Sequence, residues 1–234
     1  MLSNKNKYYA KKPFIGLTAM LSLMLIAFGI GTSAYAASET VGAGLTAKWW
    51  QWSISMPLTG HPFADPALDP TAHDCTYNQS GNVWFLGGVF NASGTIVRNC
   101  TVPRGISLLV PAINTECSNV EPPPFYGEKP ANRRACAQGF SMTNYFVKLN
   151  GVEFVPQFVT SPNFHFSAPD TTPPTSDNVL FVPGPVSGAA VSAGYWTLIP
   201  PLAPGNYTLQ FGGTFPDFGP YTLDITYNLT VVSP

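Results

Sequence analysis

The chain has 234 residues, with 11 Lys+Arg against 12 Asp+Glu, and only 10% of its residues are charged. That balance argues against nucleic acid or an anionic membrane surface as the partner, since both require a basic face. The 24 prolines and 21 glycines, with no long helical pattern after the N-terminal segment, argue against a helical bundle and suit short strands joined by tight turns.

In chain order, the first segment reads as a secretory signal peptide over residues 1–36. Lys5, Lys7, Lys11 and Lys12 form its basic part, Phe14 to Ile30 is an uncharged apolar run, and Ala34-Tyr35-Ala36 is a small-x-small cleavage site. The apolar run approaches membrane-spanning length, so an uncleaved anchor is the competing reading; the cleavage motif directly behind it favours removal. With residues 1–36 go four of the 11 bases and no acid, which leaves 7 − 12 = −5 for residues 37–234. Those residues are expected to form a single β-sandwich domain, with no membrane contact after cleavage and a location in the periplasm or outside the cell.

Ala43 to Met56 is the one helix candidate. Leu45, Trp49, Trp52 and Met56 fall on one helical face, and Pro57 ends the pattern. Trp49-Trp50-Gln51-Trp52 could form an aromatic platform for sugars, but a helical stripe of aromatics is more often core. Thr59 to Asp74 is a proline-punctuated loop carrying His61, Asp65, Asp69, His73 and Asp74. These residue types are the oxygen and nitrogen donors of Ca²⁺ and Zn²⁺ sites, so any metal is expected here and no other cofactor is implied. The competing role for the aspartates is to cap turns.

Val83 to Phe90, Thr95 to Val102 and Ile106 to Ile113 read as three successive strands of an antiparallel meander, with Gly87-Gly88 marking a bulge or a close backbone contact. Asn114 to Gly139 reads as a long polar loop tethered by a disulfide. Asn144 to Asn150 and Val152 to Val159 suggest a hairpin about Asn150-Gly151. Ser161 to Asp177 is expected to be exposed, Val179 to Val182 a short strand, and Val186 to Gly194 a small-residue loop. The clearest pattern is C-terminal. Tyr195 to Ile199 is a short aromatic and β-branched run; Tyr207, Leu209 and Phe211 alternate with polar residues, as do Tyr221, Leu223, Ile225, Tyr227, Leu229 and Val231. A period of two places one set on a core and the other in water.

The cysteines are Cys75, Cys100, Cys117 and Cys136. An even count in an exported chain implies two disulfides; four cysteines allow three pairings between which sequence alone cannot choose, and Cys75–Cys100 with Cys117–Cys136 is favoured because each closes a short loop. A four-cysteine zinc site is disfavoured because no CxxC pair is present.

Two resemblances add to this reading. Leu202-Ala203-Pro204-Gly205-Asn206-Tyr207-Thr208-Leu209 resembles the corner before the penultimate strand of immunoglobulin-like domains, which implies that Tyr207 bonds back to the corner backbone. Trp49-Trp50-Gln51-Trp52, Asp69 to Cys75, Val83-Trp84-Phe85-Leu86-Gly87-Gly88 and the segment from Pro204 to Val231 resemble a group of uncharacterised secreted bacterial proteins. That resemblance implies export and a shared fold, and brings no activity or site residue. The fold expectation is therefore all-β: an antiparallel β-sandwich, immunoglobulin-like or jelly-roll-like, with one N-terminal helix and two disulfides.

No G-x-S-x-G, HExxH, Walker A or Rossmann glycine pattern is present. Glu116, Glu121, Glu128, Glu153 and Asp224 could supply the two carboxylates of a glycosidase, but no spacing pairs them. Three functional classes stand. The leading one is a non-enzymatic secreted or envelope protein binding a glycan, a protein or a surface. The alternatives are a structural subunit that self-associates at the cell exterior, and a metal-assisted hydrolase using the 61–74 loop.

Overall fold

A computed structural model describes residues 36–64, 74–90, 94–169, 177–183, 186–219 and 221–233. Residues 1–35 of the leader-like segment lie outside them, as do Asp65, Asp69 and His73. The described residues form one compact unit.

The elements are α1 (Ala43–Ile54), β1 (Val83–Phe85), β2 (Gly94–Pro103), β3 (Ser107–Ser118), α2 (Pro130–Gly139), β4 (Thr143–Leu149), β5 (Val152–Phe154), β6 (Gln157–Thr160), β7 (Phe164–Ala168), β8 (Val186–Ile199), β9 (Gly205–Phe215) and β10 (Tyr221–Val232). The strands form two five-stranded sheets. The first has the order β1-β3-β8-β6, with β7 also paired to β8; the second has the order β2-β10-β9-β4-β5. The expectation of an all-β chain holds, but that of an antiparallel sandwich does not. β1 pairs with β3 in parallel, and β2 pairs with β10 in parallel, so both sheets are mixed.

The same pairings replace the expected meander. β2 leaves the first sheet, forms the edge of the second, and the chain returns to β3 beside β1. The burial patterns give the reason. In β2 only Ile96, Cys100 and Val102 are buried, while Thr95, Val97, Asn99 and Thr101 face outward, which suits an edge strand with one wet face. β3 is buried along almost its whole length and needs cover on both faces. Leu108 and Val110 face the second sheet's Leu209, Phe211, Ile225, Tyr227 and Leu229; Leu109 faces α1's Trp49, Trp50 and Ile54.

Val83 to Phe90 is a strand only as far as Phe85. Leu86 still donates to Leu109 O at 3.1 Å. Gly87 then turns its carbonyl to the Tyr227 hydroxyl, which donates at 2.9 Å. A Cβ at Gly87 would collide with the Phe63 ring, so the close contact expected of this glycine pair is an aromatic ring lying on bare backbone.

Four further segments differ from the sequence reading. Val186 to Gly194, expected as a loop, is the first part of the central strand β8. Its small residues permit close approach: a Cβ at Gly194 would strike the Asn114 backbone of β3. β7 lies within the stretch expected to be exposed, with Phe164, Phe166 and Ala168 buried and His165 outward. Val179 to Val182 is not a strand but a turn organised by buried Asn178, whose Nδ2 donates to Val182 O at 2.7 Å. The hairpin partner of β4 is only β5; after Val155-Pro156 the chain passes to the first sheet as β6. The turn itself is as expected, with Asn150 at φ 49° and Gly151 at φ 79°, the left-handed pair a two-residue hairpin requires.

The segment 114–139 is not a loop throughout. β3 extends to Ser118, and residues 130–139 form a second helix, α2, opened by Pro130 in the first turn and by Asn132, whose Oδ1 accepts from Lys129 N at 3.3 Å. Arg133 is buried beneath it and satisfied, donating to Gly127 O at 3.0 Å, Glu128 O at 2.8 Å and Asn163 Oδ1 at 2.8 Å. Two disulfides are formed, Cys75–Cys100 and Cys117–Cys136, with Cα separations of 5.5 and 6.0 Å. The second ties α2 to β3.

At the C-terminal corner the Tyr207 hydroxyl donates to Ala203 O at 3.0 Å. Tyr207→Phe deletes that bond and little else, so denaturant melts should show a loss of about 1 kcal/mol. A variant as stable as the parent would mean that the corner does not depend on the bond.

Candidate functional site: an aromatic cleft with a buried carboxyl pair

At one end of the two sheets is a cleft of about 340 Å³. Its walls come from separate parts of the chain. α1 supplies Trp49 and Trp50, the segment after β1 supplies Gly88 to Phe90, β3 supplies Ile113 to Glu116, and β10 supplies Tyr221 and Leu223. Phe125, Phe215 and Phe218 close another side. These rings support one another: Phe125 stacks on Phe218 with centroids 5.6 Å apart, and Phe140 lies against both. Phe181 and Phe218 stand at the rim, 51% and 40% exposed. Phe181 is held at φ 54°, an uncommon conformation for so bulky a residue.

The polar feature of the cleft is Glu116 with Glu121. Glu116 lies near the end of β3 and is 5% exposed; Glu121 follows the strand and is 8% exposed. The chain reverses between them through Ser118, whose Oγ accepts from the N–H groups of Val120 and Glu121, both at 3.2 Å. Asn119 fixes the reversal to β8, its Oδ1 accepting from Ala189 N at 2.7 Å. The carboxyl groups consequently meet within hydrogen-bond reach.

Burial raises the Glu121 carboxyl from its ordinary 4.5 to about 7, against the opposing effect of hydrogen bonds from Glu116 and Ser118. Burial also raises Glu116 well above its ordinary value, and the neighbouring Glu121 charge adds to this. Two carboxylates this close cannot both ionise cheaply, so the pair shares a proton near neutral pH.

Four polar atoms at this cleft are buried without a protein partner: Trp50 Nε1, Asn114 Oδ1, Glu116 Oε2 and Glu121 Oε2. Apart from the proton the carboxyls share, they need water or a ligand, because an orphaned buried polar atom costs on the order of 1–3 kcal/mol.

The other candidate residues are placed differently. His61 is 1% exposed, packed against Phe63 and Phe90. Its Nδ1 accepts from Phe63 N at 3.0 Å, which leaves the proton on Nε2, 3.2 Å from Ser53 O. Both nitrogens are therefore in use within the fold. Asp74 is exposed and takes the turn-capping role, accepting from Thr76 N at 2.8 Å. Among the described residues no three His, Cys, Asp or Glu side chains converge as a metal site. Of the glycosidase candidates, Glu153 pairs with Lys148 at 3.0 Å and Asp224 accepts from Thr95 at 3.0 Å on the outer face of the second sheet. Only Glu116 and Glu121 are brought together.

The tryptophans divide. Trp49 is core, donating to Leu86 O at 2.7 Å and stacked on Phe63. Trp50, which lies off the helical stripe, is the one whose indole N–H is buried at the cleft without a partner. Sequence periodicity identified the stripe but had no means of finding Trp50's role, since the cleft exists only where α1, β3 and the β9–β10 turn meet.

No family model, no curated protein and no solved structure matches this chain.

Proposed function

We propose that this chain is an exported, non-enzymatic β protein that binds a ligand in the aromatic cleft. The observation that carries the reading is the cleft itself: about 340 Å³, walled by aromatic rings, with four buried polar atoms lacking protein partners. An apolar concavity with a few convergent polar groups is the usual form of a binding site. Export is supported by the leader-like sequence of residues 1–36 and by the pairing of all four cysteines, which suits an oxidising compartment. Among the described residues no helix is long and apolar enough to cross a membrane.

The carboxyl pair favours binding over glycoside hydrolysis. Glycosidase carboxyls stand about 5 to 9 Å apart so that a sugar carbon or a water fits between them. Here the two groups are in hydrogen-bond contact.

The test is a titration with the neutral dye N-phenyl-1-naphthylamine. One saturable site per chain is expected. Gly88 lines the cleft, and a Cβ there meets only Leu223 and Ile225 side-chain atoms, at 3.5 and 3.9 Å. Gly88→Leu should therefore fill the cleft while the protein still melts cooperatively, and dye binding should drop at least tenfold. Undiminished binding by a folded Gly88→Leu protein would sink the reading.

A further inference from the structure

The walls of the cleft limit what can occupy it. Its described lining contains two carboxyls and the Tyr221 phenol, and no lysine, arginine or histidine. Tyr221 is pushed up by burial and donates to Val89 O at 3.2 Å, so it adds no charge at neutral pH. Any negative charge on the Glu116–Glu121 pair consequently has no cation of the protein's own in the cleft. Three of the four unpartnered atoms, Asn114 Oδ1 and the two Oε2 atoms, accept hydrogen bonds when the pair is ionised; one, Trp50 Nε1, donates. Thr115 Oγ1 donates to Glu116 O at 3.3 Å, and the rest of the side-chain lining is aromatic and aliphatic.

We infer that the ligand is a primary amine on an apolar body, with its ammonium at Glu116 and Glu121 and its body against the rings of Trp50, Phe125 and Phe218. This rests on the binding reading above. A primary ammonium presents three donors from one atom and accepts nothing, which matches a site dominated by acceptors. Aromatic faces attract a cation further. A carboxylate or phosphate ligand would meet like charge with no compensating cation, and a plain hydrocarbon would leave all four polar atoms unpartnered. As the ammonium docks, it takes over the role of the proton the carboxyls share. That proton leaves to solvent, the ammonium keeps its own three, and the net charge at the site is conserved.

Isothermal titration of 4-phenylbutylamine against its near-isostere 4-phenylbutanol tests this. At pH 7 the amine should bind at least tenfold more tightly than the alcohol. Its apparent enthalpy at pH 6 should change with the ionisation heat of the buffer, reporting proton release. The Glu116→Gln/Glu121→Gln variant should lose the preference and bind both compounds alike; the two single variants serve if the double variant fails to fold. Equal affinity of the parent for amine and alcohol overturns the amine inference and leaves the cleft as a binding site. A preference that persists in the folded double variant overturns it as well. If neither compound binds, the amine inference is overturned too. The binding reading falls with it only if Gly88→Leu also leaves dye binding intact.

Discussion

Leu229→Ala should lower stability by about 2 to 5 kcal/mol, and Thr226→Ala by about 0.5 kcal/mol. Both residues lie on β10, three positions apart, and they face opposite sides of the second sheet. Leu229 is 1% exposed among Val102, Leu108, Leu209 and Tyr227 in the core between the sheets. Its truncation removes apolar burial and leaves a cavity that strands fixed on both sides, β9 in antiparallel and β2 in parallel register, can only partly close. Thr226 faces outward and is only half-buried. Urea melts of the two variants decide the matter: equal losses would mean that β10 does not divide the core from solvent in this register.

Stability should fall as pH rises from about 4.5 through 7, with the Glu116–Glu121 pair as the cause. The sign follows from where the protons sit. With Glu121 at about 7 in the folded protein and 4.5 in the unfolded chain, the folded state binds more protons across this window. Raising the pH therefore favours unfolding, by about 3 kcal/mol for Glu121 once its folded pKa is passed. Glu116 is shifted in the same direction by its burial and extends the loss to higher pH.

His61 acts in the opposite sense. Burial lowers it from 6.5 to about 4, aided by Arg98 and opposed by the bond to Ser53. Its contribution is complete above pH 6.5 and is lost as pH falls toward 4. Between 4.5 and 6.5 the two carboxyls outweigh the single imidazole, and above 6.5 the pair acts alone. In Glu116→Gln/Glu121→Gln the slope should reverse, with stability rising from pH 4.5 to 6.5 and then levelling. Urea midpoints at pH 5, 6.5 and 8 supply the measurement. A parent protein no less stable at pH 8 than at pH 5 would contradict the buried, proton-sharing pair.

The same physics separates what could be read in the sequence from what could not. Local signals with a fixed period or a fixed chemistry were legible. The alternation from Tyr221 to Val231 marked β10 and its inward face, since a strand buried on one side must alternate. Of the predicted stripe on α1, Trp49 is buried and Leu45 and Trp52 are half-buried, and the helix ends at Ile54, short of Met56; Asn150-Gly151 marked the β4–β5 hairpin, and loop length favoured the two cystines that formed. The corner motif placed the Tyr207 hydroxyl.

Tertiary contact decided the rest. β8 carries glycine and alanine where strand propensity asks for branched side chains, because β3 crosses it too closely for a Cβ at Gly194. β2 could not be assigned a sheet from its own residues, since its alternation fits the edge of either; its parallel partner β10 lies more than a hundred residues away. Glu116 and Glu121 had no special standing among the acidic residues of the sequence. A turn closed by Ser118, anchored to β8 by Asn119 and packed beneath aromatic rings, removes both carboxyls from water and sets them against each other. By itself the sequence marked β2, β3, β4, β9 and β10 as strands and showed which faces of β9 and β10 are buried, and it favoured the cysteine pairs that formed, because those signals are local along the chain. Which strands share a sheet, and the creation of a cleft with a proton held between two acids, follow from neighbours in space, and only the folded structure supplies those.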